Sequence, residues 1–196
     1  LAGPAWSENE HLAVDGNQSS DLRLAVAVEG TEDEVNWMTK QLGIEWRHEG
    51  VREHRVVEGE AAAELFAKFA EFPANGESPL VLRASLVPSG TTKFGDALKH
   101  LDSQCSIQAH AGNGVVIAKL SEFPADGLAK TLIAKLQPVA SSAHGSIVVL
   151  SNPSGAEMTR QSVWGASNAS FDLMTSVKRE FDPNNILNPG RFVYAD

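Results

Sequence analysis

One cysteine, Cys105, is all the thiol chemistry that this chain of 196 residues holds. A single thiol makes no internal disulfide, so the fold must stand on its packing. Long apolar runs are lacking too. The best candidate, Ile147 to Leu150, is strand-sized, whereas a membrane span needs roughly 20 apolar residues. Positive charge is scarce: 16 Lys and Arg face 25 Asp and Glu, a formal net charge of -9. A nucleic acid would have to be held against that field, so nucleic-acid binding is not expected. There is no Gly-Lys-Ser/Thr phosphate loop and no Gly-x-Gly-x-x-Gly turn. His48-Glu49 opens like a zinc-protease helix, but Arg52 stands where the second ligand is needed, and Glu53-His54 does not repair the spacing. The start shows no basic leader followed by an apolar segment. A reducing cytoplasm is the compartment this implies, and the Asn-x-Ser triplets at 17 and 168 then carry no meaning.

What is present suffices for a core. Hydrophobic residues make up 42% of the chain and charged ones 21%, which suits one ordinary domain or two small ones. Residues 1–20, rich in Gly, Asn and Ser, read as an arm or linker, and the domain proper as 21–196. Leu22, Leu24, Val26 and Val28 alternate with more polar residues, which predicts a strand. Thr31 and Glu34 form a capping box, and the helix it opens is predicted to stop at Gly43. A short strand over Ile44–Trp46 follows. A second helix starts near Glu60 and carries Leu65, Phe66, Phe69 and Phe72 on one side. Leu80, Leu82, Ala84 and Leu86 mark a strand, residues 91–101 a helix, and 104–109 and 115–120 two strands joined through Asn113-Gly114. A helix after Asp126, a strand over 145–150 and a last helix over 169–181 complete the order. That last helix is predicted to turn Phe171, Met174, Val177 and Phe181 inward. The stretch 80–150 reads β-α-β-β-α-β. The expected fold is α+β: a ferredoxin-like antiparallel sheet with helices on one face, the other face left free.

Few residues stand out chemically. Arg83 lies mid-strand on the side away from the leucines, where a guanidinium needs an anion or an exit to water. It either binds a carboxylate or forms a surface salt bridge. His110 closes a strand, as a site residue or a structural one. Trp164, in a polar stretch, either plugs the core edge or faces a ligand or partner. The tail from Phe181 to Arg191 holds two prolines and a glycine in eleven residues, a stiff segment able to position backbone groups.

Phe181-Asp182-Pro183 followed by Ile186-Leu187-Asn188-Pro189-Gly190-Arg191 resembles the closing motif of FAD-linked oxidases of the vanillyl-alcohol-oxidase type. The pattern looks most like the GlcE-type subunits of bacterial glycolate oxidases. Leu82 to Pro88, Ala109 to Val116 and the approach to the last helix at Val163-Trp164-Gly165 resemble the same family, in order, over about 22–194. The resemblance implies a C-terminal substrate or cap domain, with an FAD domain upstream and the arm as its tether. It implies FAD held mainly by that other domain, and no activity for this part alone. A small 2-hydroxy acid would be the substrate, and other subunits of a glycolate-oxidase-type complex the partners. Arg83 would bind the substrate carboxylate, and His110 is the candidate base. Asn188, Gly190, Arg191 and Trp164 would approach the flavin. Related catalytic subunits hold a metal with a second histidine in this hairpin. Here Ile117 takes its place and Asn113 replaces the acid, so no metal is expected at His110. The contrasting reading is a non-catalytic binding or assembly module that docks a partner on the open sheet face.

Overall fold

The computed structural model describes residues 2–3, 23–51, 54–164 and 170–189. The chain divides into two compact units, Leu1–Ala70 and Glu71–Asp196.

In the first unit, strand β1 (Ala2–Gly3) pairs antiparallel with β2 (Arg55–Val56). Helix α1 (Glu32–His48) begins at the predicted capping box: the Thr31 backbone N–H and hydroxyl both donate to Glu34 Oε2, each at 2.8 Å. Those bonds hold the Glu34 carboxyl below its ordinary range, the backbone bond foremost. The helix does not stop at Gly43. It runs on through Ile44–Trp46, the predicted short strand, and ends before Gly50, whose φ of +80° leaves the helical region. Helix α2 (Gly59–Glu71) buries Ala62 and Leu65 and sets Phe66 edge-on to Phe69 at 5.6 Å. The strand predicted from residue 22 is not a ladder. Residue 22 lies outside the described residues, and 23–29 make a single bridge at Val26 with Leu24 exposed. Alternation defines a face for a strand but does not supply its neighbour.

The second unit is the expected α+β arrangement. Strands β3 (Leu80–Ser85), β4 (Ser106–His110), β5 (Val115–Leu120) and β6 (Ser146–Ser151) lie in the spatial order β4-β5-β3-β6. Every neighbouring pair is antiparallel, the ferredoxin-like order. One face carries Leu80, Leu82, Ala84, Val116, Ala118, Leu120 and Ile147. Against it pack Phe94 and Leu98 of helix α3 (Thr91–Leu101) and a helical run beginning at Leu128. That run is wound as a π-helix over Lys130–Leu136 before helix α4 (Gln137–Ser142). Pro138 accounts for the irregular winding, because it offers no N–H to Ala134 and its ring crowds that carbonyl. Burial of a side chain such as Phe94 or Leu132 contributes about 1.5–3 kcal/mol each.

The β4–β5 turn keeps close to the neighbouring chain. Gly114 has φ +72°, and a Cβ there would lie 1.9 Å from the Leu86 carbonyl oxygen. In return the Leu86 N–H donates to the Gly114 carbonyl at 2.8 Å. Asn113, the residue before it, does not adopt a positive φ.

Beyond the sheet lie helix α5 (Arg160–Trp164) and helix α6 (Ser170–Phe181). The inward set predicted for α6 holds only in part. Phe171 is buried and Met174 half-buried, but Val177 and Phe181 are exposed, Phe181 at 79%. With Leu173 they form an apolar ridge at a four-residue spacing, the mark of a helix side rather than of a core contact.

Candidate functional site

The helix-free face of the sheet collects the residues of interest. Ladder register puts Gln108, Ile117, Arg83 and Val148 in one row across β4, β5, β3 and β6. The next row is His110, Val115, Ser85 and Ser146. Arg83 and His110 therefore share a face, two strands apart and one step along. Strand spacing and rise put their Cα atoms about 12 Å apart. Arg83 is exposed, and its guanidinium makes no hydrogen bond or ion pair to a described residue. Its row neighbours are apolar: Ile117 is buried and Val148 half-buried.

His110 is exposed at the end of β4, and its Nε2 lies 3.1 Å from Gln108 Nε2. An amide nitrogen only donates, so this arrangement leaves Nε2 of a neutral imidazole as acceptor and the proton on Nδ1. Gln108 Oε1 is buried and has no hydrogen-bond partner. Sequence reasoning passed over Gln108. The signal was its spacing, two residues before His110 and so on the same side of the strand. Ile117 stands diagonal to His110. Among the described residues no group of three or more His, Cys, Asp or Glu side chains converges.

The remaining candidates lie toward the C-terminus. Thr159 and Ser162 start helix α5 reciprocally. The Thr159 N–H donates to Ser162 Oγ at 2.8 Å, and the Ser162 N–H to Thr159 Oγ1 at 3.1 Å. Trp164 closes that helix, and its side chain lies outside the described residues. After α6 the tail folds around Asp182. Its carboxylate accepts from the Ile186 N–H at 2.8 Å, from the Leu187 N–H at 2.9 Å, and from Lys178 Nζ. Lys178 also donates to the Leu187 carbonyl at 2.8 Å. The Lys178 ammonium, joined by the two backbone N–H groups, holds the Asp182 carboxyl below its usual range although burial opposes it. Asn188 is exposed with φ +49°, while Gly190 and Arg191 lie outside the described residues. No described hydrogen bond or ion pair joins Asn188 to Arg83 or His110. The structure thus brings Arg83 and His110 onto one surface; of the tail candidates it describes Asn188, which follows the turn held by Asp182.

No curated protein and no solved structure matches the chain. Residues 154–192 match the family model of the C-terminal domain of FAD linked oxidases. The matched stretch contains the Thr159–Ser162 cap, helix α6 and the turn clamped by Asp182. Over these residues the chain is similar to that domain, which supports an FAD-linked oxidase or dehydrogenase component.

Proposed function

We propose that this chain is the C-terminal substrate domain of an FAD-dependent 2-hydroxy acid oxidase or dehydrogenase of the glycolate type. The observation that carries the reading is Arg83: an exposed guanidinium with no partner among the described residues, on the same sheet face as His110, in a chain whose tail is similar to FAD linked oxidases.

The described residues fit the substrate side of such an enzyme better than the cofactor side. FAD is proposed to be held mainly by a domain outside this chain. A bound flavin would supply the hydride acceptor. Arg83 would hold the substrate carboxylate by a two-point contact, with Ile117 and Val148 keeping water from its flanks. His110 would receive the hydroxyl proton on Nε2, the nitrogen that Gln108 now caps. Asn188, Gly190, Arg191 and Trp164 are proposed to lie toward the flavin ring. Other subunits of a glycolate-oxidase-type complex are the proposed partners, and the exposed Leu173, Val177 and Phe181 ridge supports an interface on α6. The proposed location is cytoplasmic. No helix among the described residues is long and apolar enough to cross a membrane.

The test uses the protein expressed with whatever precedes this chain in its gene. Anaerobic bleaching of a bound flavin by glycolate or lactate is expected. Arg83→Ala should raise the substrate concentration needed by at least about tenfold, a loss of about 1.4 kcal/mol, with FAD content unchanged. Bleaching at the same substrate concentration in the variant would remove Arg83 from the site. A protein that takes up no FAD would overturn the flavoenzyme reading.

A further inference from the structure

A cleft in the first unit carries a second site, independent of the flavoenzyme reading. It has a volume of about 340 Å³ and lies between helix α1 and the segment around β2. That volume admits a compact anion and is far too small for a dinucleotide.

Asn36, Lys40, Gly43 and Arg47 line it from α1. Their spacing of four, three and four residues makes one stripe along the helix. Lys40 and Arg47 are seven residues apart, about 10 Å along the axis, and so bracket Gly43. Neither side chain makes a hydrogen bond or an ion pair to a described residue. The helix does not provide for one: the residues four positions either side of Lys40 are Asn36 and Ile44, and those of Arg47 are Gly43 and Val51. In a chain with 25 acids and 16 bases, these two cations stand on one side of one helix with no acid among the described residues paired to either.

The floor between them is built. Gly43 is buried in mid-helix, where glycine costs about 1 kcal/mol relative to alanine. A Cβ at that position would lie 3.0 Å from His54 Nε2, so the glycine lets the imidazole seat against the helix backbone. Trp46 meets the His54 ring edge-on at 6.4 Å between centroids. Thr39 also lines the cleft, and its buried hydroxyl has no hydrogen-bond partner among the described residues. Glu58 is the one acid among the described residues of the lining. The described lining is thus net positive, and Glu58 can accept a hydrogen bond from a ligand hydroxyl or a protonated oxygen.

We propose that this cleft binds a compact oxyanion of the phosphate or dicarboxylate class, held by Lys40 and Arg47 over the His54 floor, with Thr39 donating. Charge-assisted bonds to two cations and a buried hydroxyl suit such a ligand. Phosphate and carboxylate present the same oxygens, and the two sources are separable by experiment.

The full chain would be titrated at low ionic strength with inorganic phosphate and, separately, with malonate, by calorimetry and by amide chemical shifts. Saturable binding with shifts centred on residues 36–58 is expected for at least one anion. Saturation by phosphate alone identifies a phosphate ligand, and saturation by malonate alone a dicarboxylate. Lys40→Gln and Arg47→Gln should each weaken that binding about tenfold, and Glu58→Gln should tighten it. Both basic residues are exposed, so unchanged circular dichroism is the folding control. Gly43→Ala should displace His54 and weaken binding with both cations intact. Failure of both anions to saturate a folded protein overturns the proposal, as does undiminished affinity in the Lys40→Gln, Arg47→Gln double variant.

Discussion

Lys178 and Asp182 lie one turn apart at the end of helix α6 and pair in a nearly closed setting, the Asp182 side chain 3% exposed and that of Lys178 15%. The same carboxylate takes the Ile186 and Leu187 N–H groups, so one acid stops the helix and shapes the turn after it. Asp182→Asn should lower the melting temperature by about 5 °C or more near neutral pH, since the ammonium and two amides lose their charged acceptor. The pH dependence follows from the lowered carboxyl. Its stabilisation is fully present above the unfolded value of about 3.9 and is lost as pH falls through the lower folded value. Melting curves of parent and variant should therefore converge in strong acid. An equal gap at all pH values would show that Asp182 is not charged in the fold.

Gly114→Ala brings a methyl group into the Leu86 carbonyl at a position with φ +72°. Neither a rotamer nor a side-chain shift relieves a clash with backbone. Urea unfolding should show a loss of more than about 2 kcal/mol. A near-neutral result would mean that the β4–β5 turn repacks freely.

Thr131 is 1% exposed on the π-helical stretch, and its hydroxyl has no hydrogen-bond partner among the described residues. Valine has the same shape without the polar group. Thr131→Val should raise stability by about 1 kcal/mol in the same assay. Destabilisation would indicate a water or another acceptor at that hydroxyl.

Cys105 is 2% exposed, and burial raises its thiol above the ordinary range. At pH 8 its labelling by a disulfide reagent should run at least about 100-fold slower than in urea, because the thiolate is both scarce and covered. Fast native labelling would place Cys105 at an open edge of the sheet.

Local chemistry with local consequences was legible in the sequence. The Thr31–Glu34 box, the Leu80–Leu82–Ala84 stripe and the Asn113-Gly114 turn each depend on residues a few positions apart, and each appears. Gly43 shows where such reading ends. A glycine can stop a helix or make room for a neighbour, and only His54, eleven residues later, decides for the second. Gly50, in the left-handed region, does the stopping. Val177 and Phe181 fit a helical spacing, but spacing cannot say what the ridge meets, and here it faces outward. Leu24 and Val26 alternate like a strand, but among the described residues 23–29 only Val26 makes a bridge. Arg83 was legible as an exposed cation on the leucine-free side. Gln108 was not, because a polar residue on an outer strand face is ordinary until its amide is seen against His110.

The sheet order also sets a timetable for synthesis. Strand β3 is the first of the four to leave the ribosome, yet it lies inside the sheet, and one of its sides pairs with β6, the last. At 5–20 residues per second, the interval between the ends of the two strands is roughly 3–13 seconds. Until then the nascent chain can form the β3–β4–β5 part only, with one side of β3 unpaired. An open strand of that kind invites pairing with other chains. Slowed translation between residues 120 and 146 would extend that exposure, and yield in the cell would then depend on how fast that stretch is made.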